Sequence, residues 1–257
     1  MDAPLPEPVA TLAARLAGLP GAVAVVLGGS RATGTHRPDS DWDLGLYYRG
    51  SGRLLDPGDV RRLGHPGYVS ALGEWGPIVH GGAWLNVGGH AVDVLFRDLD
   101  VVERWLRDAR DGRFDVLAQN GYLAGAPTYL PAGELAVCRP LAGDVPRPDG
   151  FPPALAAAAP GRWRGRAGVA LMFAAIHAGR AGVVGCAGML AAAALCAAHA
   201  RLTERGEWVL NEKGLVERAG LGRTHAILAG AGRTAGELRA SVAAMSAAIG
   251  VPVPAAR

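Results

Sequence analysis

Apolar and polar residues follow two different rhythms along this chain, and the change falls near its middle. The first part carries short apolar runs of strand length at 22–27 (AVAVVL), 42–48, 83–87 and 91–96, parted by Gly, Pro, Asp and Ser. The run at 22–27 is continuous and predicts a strand buried on both faces. Residues 8–19 predict a helix leading into it, and 54–64 a second helix with Asp56-Pro57 at its start. Residues 66–82 read as loop, containing Tyr68, Glu74, Trp75 and His80. Gly88-Gly89 between the runs 83–87 and 91–96 predicts a β-hairpin, and Asp98 caps an expected helix at 99–110 with a stripe of Val101, Val102, Trp105 and Leu106. Residues 114–142 predict a short helix and then, over 134–141, a further segment against the sheet.

A Pro/Gly/Asp-rich stretch at 142–153 (AGDVPRPDGFPP) is the best linker in the chain. Beyond it the pattern is helical, with helices expected at 154–180, 184–205, 211–219, 224–231 and 234–248. Many small residues there favour close helix packing. The expected fold class is α+β: a small mixed β-sheet domain flanked by helices over 1–145, then an all-α helical bundle over 154–250.

The chemistry concentrates in residues 28–47, GGSRATGTHRPDSDWDLGLY. Gly28 and Gly29 follow a strand and let a ligand approach the main chain. Ser30 offers a hydroxyl and an N–H at an expected helix start, where anions are favoured. After ten intervening residues come Asp41 and Asp43 at the mouth of the next strand. Alternate residues of a strand share a face, so both carboxylates can point to one place. Such a turn beside an acid pair suits a triphosphate and its Mg²⁺. Asp93, between Val92 and Val94, is a third acid in an apolar strand, where burial is costly unless a cation neutralises it.

This Gly-Ser, loop, Asp-x-Asp arrangement resembles the DNA polymerase β-like nucleotidyltransferase superfamily, with Gly29, Ser30, Asp41 and Asp43 matching the motif and Asp93 its third carboxylate. The resemblance implies two Mg²⁺ ions on Asp41, Asp43 and Asp93 and a nucleoside triphosphate, ATP foremost, held by Gly28, Gly29 and Ser30. It implies transfer of a nucleoside monophosphate to a hydroxyl with release of pyrophosphate. Arg31 could touch phosphate or brace the loop, whereas Arg37 and Ser40 shape the loop. A catalytic α/β half followed by a helical bundle is similar to antibiotic-modifying nucleotidyltransferases of the aminoglycoside and lincosamide type, so a small-molecule acceptor is expected. In such enzymes the second domain contributes phosphate-binding groups. Lys213, the only lysine in the chain, is the candidate here, with Asn211 capping the helix expected at 211.

Composition narrows the alternatives. The chain has 257 residues, 50% hydrophobic and 19% charged, enough for one large domain or two small ones with real cores. A net charge of +3 and 6% aromatic residues argue against a dedicated nucleic-acid binder. Three cysteines without CxxC spacing predict packed thiols in a reducing compartment rather than a disulfide framework. The N-terminus lacks a signal-peptide pattern, and the uncharged run 181–198 reads as a packed helix, so a cytoplasmic protein without a membrane segment is expected. Glu74, His80 and Glu134 are auxiliary candidates for a general base. Arg162, Arg164 and Arg166 read as a solvated face, His177 and His199 as core or interface histidines. The competing function is a nucleotidyltransferase-like regulatory or antitoxin module that binds nucleotide or modifies a protein partner. Oligomeric state is left open.

Overall fold

The computed structural model describes residues 4–254. The chain divides into two compact units: one takes in the chain up to Ala109 together with Phe114–Asn120 and Ala126–Gly150, the other Arg110–Arg113, Gly121–Gly125 and the described residues from Phe151 on.

The first unit is built on a six-stranded mixed sheet. Helix α1 (Glu7–Ala17) leads into β1 (Ala22–Leu27), a four-residue turn of helix α2 (Gly29–Ala32) and β2 (Trp42–Tyr48). Then come α3 (Pro57–Arg61), β3 (Gly67–Val69), the hairpin β4 (Gly82–Val87) and β5 (His90–Asp98), and α4 (Leu99–Arg110). A short ladder of β6 (Val116–Leu117) and β7 (Ala126–Pro127), helix α5 (Leu130–Val137) and β8 (Arg139–Ala142) complete it. The sheet order is β3-β4-β5-β2-β1-β8, with β2 parallel to β5 and the other pairs antiparallel.

Period-two alternation gives this sheet two unlike faces. Val25, Leu27, Leu44, Leu46, Val92, Val94, Phe96, Ala83 and Leu85 form one core with Val9, Leu12 and Leu16 of α1. Each fully buried aliphatic side chain there contributes about 1.5–3 kcal/mol. The intervening residues of β2 and β5, among them Asp43, Tyr47, Asp93 and Arg97, occupy the opposite face. At its inner end Arg97, 2% exposed, makes a two-pronged ion pair with Glu134 of α5 and donates to the Ile78 carbonyl. Burial, with the charge of Glu134 adding to it, pushes the Tyr47 hydroxyl well above its usual range.

Local signals explain the element ends. Asp56 accepts from the Gly58 N–H at 2.8 Å with Pro57 in the first turn of α3, and Asp98 accepts from Asp100 N at 3.0 Å to start α4. Arg49 fastens the other side of that start, bonding Asp100 at 2.6 Å and Glu103 at 2.7 Å. Three expectations shift. The helix expected over 54–64 is confined to Pro57–Arg61. The stretch 66–82 contains β3, too short and glycine-led to show as a strand in the pattern. The segment 134–141 is split: Glu134 ends up on α5, and only from Arg139 does the chain pair with β1.

The second unit is helical: α6 (Pro153–Gly179), α7 (Val183–Glu204), α8 (Leu215–Arg218), α9 (Arg223–Ala229) and α10 (Ala235–Ile249). Helix α7 is long and apolar enough to cross a membrane by length and composition; half of its apolar window is buried within the structure. Helices α6 and α7 pack on each other, and Leu155, Trp163, Leu171, Leu190 and Leu202 on them are buried. A capping box joins Thr234 and Glu237 at the start of α10. The helix expected over 211–219 is shorter. Asn211 does not cap it but accepts from Lys213 N at 3.0 Å in a local turn, and α8 begins only after Gly214, whose φ is +61°. Glu212 is occupied in structure, accepting from Leu123 N at 2.7 Å and Ala124 N at 2.8 Å. Arg162, Arg164 and Arg166 are exposed, and Arg164 pairs with Glu204 at 2.7 Å. Cys138, Cys186 and Cys196 are buried free thiols, and burial holds each above its usual range.

His199 is the costly residue in this core. It is fully buried and stacks on Trp163 with centroids 4.0 Å apart, yet among the described residues neither ring nitrogen has a hydrogen-bond partner. Burial, with Arg166 and Arg218 nearby, holds its pKa down to about 3. The imidazole therefore stays neutral in the folded state while the unfolded chain takes up a proton near its ordinary value of 6.5. Native stability falls as pH drops below that value, by up to about 1.4 kcal/mol per pH unit from this one group. His199→Leu should raise the unfolding free energy at neutral pH by about 1–3 kcal/mol, because it removes two unsatisfied polar atoms. It should also flatten the stability profile between pH 6.5 and 4, as read by urea denaturation at a series of pH values.

Candidate active site

The site begins where β1 ends. Gly28 N donates to the Asp43 carbonyl at 2.8 Å, continuing the β1–β2 ladder by one residue. The chain then turns at Gly29, whose φ is +61°. A Cβ built on Gly29 would lie 1.8 Å from Asp43 Oδ2, so the main chain there presses directly against the carboxylate. Only glycine meets both demands. Ser30 follows in the four-residue helix α2, half-buried.

Asp43 and Asp93 are Cα partners in the parallel β2–β5 pair. They share the face opposite the α1 core, on strands ~4.8 Å apart. Both are half-buried. Their strand neighbours Trp42, Leu44, Val92 and Val94 go into the core, which fixes the acids on the other side. Asp41 precedes β2 and is exposed. Among the described residues no three His, Cys, Asp or Glu side chains stand together closely enough to hold a metal ion. Asp43 and Asp93 thus form a register pair, with Asp41 exposed two residues upstream of Asp43.

The donor set still fits a hard divalent cation. It is all carboxylate oxygen, two of the three acids are locked side by side, and a glycine leaves the main chain open against them.

Arg31 reaches back across the loop. Its guanidinium lies 4.1 Å over the Trp42 ring and donates from Nε to the carbonyls of Ser40 at 3.0 Å and Asp41 at 3.1 Å. It braces the end of the loop 33–40 that delivers Asp41 to the strand. Ser40 Oγ accepts from Arg37 N at 2.9 Å, and Arg37 pairs with Asp39, so those two residues shape the same loop.

The auxiliary acids and bases lie off the strands, Glu134 on α5 and Glu74 and His80 between β3 and β4. Glu134 is bound to Arg97, four residues along β5 from Asp93, roughly 13 Å away at strand rise. His80 bonds Tyr48 Oη at 2.6 Å, five residues along β2 from Asp43. Glu74 accepts from Tyr68 Oη and from Ala71 N, at the outer edge of the sheet. Lys213 is exposed and belongs to the helical unit.

Residues 11–99, from within α1 through β5, match the family described as nucleotidyltransferase domain. That stretch is a nucleotidyltransferase domain. No curated protein is similar enough to the chain to count as a match. The nucleotidyltransferase domain contains Gly28, Gly29, Ser30, Arg31, Asp41, Asp43 and Asp93, whereas Lys213 lies outside the match. One grouping was missed in the sequence pattern: Tyr68, Trp75 and Trp84, whose rings pack together, with Trp84 the Cα partner of Asp93. Counting back from the two-residue turn at Gly88-Gly89 pairs Trp84 with Asp93, and that count was the available signal.

Two substitutions probe this architecture without any assay of function. Gly29→Ala forces a side chain into a left-handed backbone and against Asp43, and should lower the unfolding free energy by about 1–3 kcal/mol in denaturant titration. Arg31→Lys keeps the charge but loses the planar fork that spans two carbonyls and covers Trp42. Amide hydrogen exchange across 33–41 should quicken in that variant while exchange in β1 and β5 is unchanged; equal rates throughout would refute the bracing role.

Proposed function

We propose that the protein transfers a nucleoside monophosphate, AMP from ATP foremost, to a hydroxyl of a small molecule and releases pyrophosphate. The observation that supports this reading most is the in-register pair Asp43–Asp93 facing the Gly28-Gly29 turn inside a nucleotidyltransferase domain. Asp41, Asp43 and Asp93 are the residues that would hold two Mg²⁺ ions, which when bound neutralise the triphosphate and lower the charge barrier to in-line displacement.

The chain's own groups do the rest. Gly28 and Gly29 present main chain without side-chain obstruction, and Ser30 adds an N–H and a hydroxyl for the outer phosphates. Arg31 holds the loop so that Asp41 meets the strand in a fixed orientation. The acceptor oxygen attacks the α-phosphorus, the bond from that phosphorus to the bridging oxygen breaks, and pyrophosphate leaves with the electron pair. Asp93 takes the acceptor proton and passes it to solvent. Lys213 is a candidate phosphate cation on its chemistry, a compact mobile ammonium in a chain that otherwise uses arginine.

The regulatory alternative, in which a protein is the acceptor, separates from this reading by the product: AMP attached to a small molecule or to a polypeptide, distinguished by mass spectrometry. Thermal-shift screening with each nucleoside triphosphate plus Mg²⁺ identifies the co-substrate, because a ligand of the folded state raises the melting temperature. With that nucleotide, Asp43→Asn or Asp93→Asn should cut pyrophosphate release by at least about 10³-fold while thermal unfolding stays cooperative. Undiminished turnover in either variant removes the assignment.

A further inference from the structure

Tyr68 of β3, Trp84 of β4, Asp93 of β5 and Asp43 of β2 are successive Cα partners, so they form one straight row across four strands. Paired residues in a sheet share a face, which places the two aromatic rings in line with the two carboxylates. Trp84 is 54% exposed and Tyr68 43%, unusual for large aromatic residues on an ordered strand.

The rings are held, not merely left outside. Trp75 stacks on Trp84 with centroids 4.7 Å apart and planes 21° apart, and Tyr68 lies 5.8 Å from Trp84. Room for Trp75 comes from Gly82, two residues before Trp84 on the same face: a Cβ there would sit 2.6 Å from the indole. Gln119 fixes the loop behind it, donating to the Trp75 carbonyl at 2.6 Å and accepting from the N–H groups of Ile78 and Val79. At the outer edge the Glu74 carboxylate accepts from Tyr68 Oη and Ala71 N; the Tyr68 bond, with the backbone bond adding, holds its carboxyl below the usual range.

We propose that this aromatic shelf is the acceptor subsite, and that the acceptor is a ring with an apolar face and a hydroxyl on its edge. The inference rests on the nucleotidyl-transfer reading and names its substrate class. A ring lying on Trp84 covers an exposed indole face and, with strands ~4.8 Å apart, brings an edge hydroxyl alongside Asp93. The ionised Glu74 at the other end accepts from a further hydroxyl or ammonium of the same molecule. Two kinds of molecule have this chemistry: sugars, which stack through a C–H face, and phenols, which stack through a π-face.

Saturation-transfer NMR on the full chain with Mg·ATP tests it, using methyl glucoside and glucosamine in one arm and catechol in the other. Transfer to the first arm assigns sugars, to the second phenols. Trp84→Ala should weaken the bound probe about tenfold, Trp84→Phe should restore most of the affinity, and Tyr68→Ala should weaken it less. The Mg·ATP thermal shift should be the same in all three variants. No transfer to any probe, or equal affinity in Trp84→Ala, would overturn the subsite; so would loss of the Mg·ATP shift in Trp84→Ala, which would give the shelf to the nucleotide. Asp43→Asn separates the two levels. If the shelf is right and the chemistry wrong, probe binding persists and this variant has no effect on whatever turnover exists.

Discussion

Two carboxylates held side by side on neighbouring strands repel each other, and a fold that keeps them there must supply the holding force from somewhere else. Two like charges about 5 Å apart repel by roughly 3 kcal/mol at an effective dielectric of 20. In this protein the opposing force is the apolar face of the same strands. Leu44, Leu46, Val92, Val94 and Phe96 are each 0–1% exposed, and turning Asp43 or Asp93 away from the other would require a one-residue slip that brings those side chains to solvent. The core on one side of the sheet thus fixes the charge pair on the other. A divalent cation at the pair would relieve the repulsion that the core has to withstand, and this is why the chemistry proposed for the site and the stability of the sheet are linked.

The polar face is not uniformly polar, and its division follows depth. Toward the far end of β5, Arg97 is buried and its charge is met by Glu134 and a carbonyl, closing that end under α5. Four residues earlier Asp93 is half-buried, and on its β4 side the face opens onto Trp84. A buried ion pair is seldom a large net source of stability. Here it fills the inner end of the face with a group whose geometry is fixed, while Asp93 four residues away stays half-buried.

Much of this was readable in the residues themselves. Helix α4 was predicted with its observed bounds because Asp98 and the Val101, Val102, Trp105, Leu106 stripe are both local signals. β1 was predicted with its bounds because a continuous apolar run cannot be placed elsewhere. The glycine turn and the acids were legible as a motif, whereas the carbonyl partners of Arg31 across the loop were not. What escaped was non-local. β3 has three residues and exists because β4 offers it an edge. Trp163 and His199 lie 36 positions apart on different helices, and nothing in either neighbourhood announces their stacking. Asn211, with a helix expected immediately after it, instead closes a turn on Lys213 because Gly214 takes a left-handed conformation and delays the helix.

The hairpin turn is as much a part of the site as the acids it does not contain. Gly88 and Gly89 both have positive φ, 59° and 86°, as a two-residue turn of the primed type requires, and Asn86 Oδ1 accepts from Gly89 N at 3.0 Å. That turn sets Val87 against His90 and, three steps further, Trp84 against Asp93. A longer turn would shift the pairing and put a different β4 residue beside the carboxylate. The parallel β2–β5 pairing brings Asp43 to the same row, and the β3–β4 pairing brings Tyr68. Four strands therefore align on a register fixed at its tightest point by two glycines. Residues with no functional group thus decide which chemistry lies next to which.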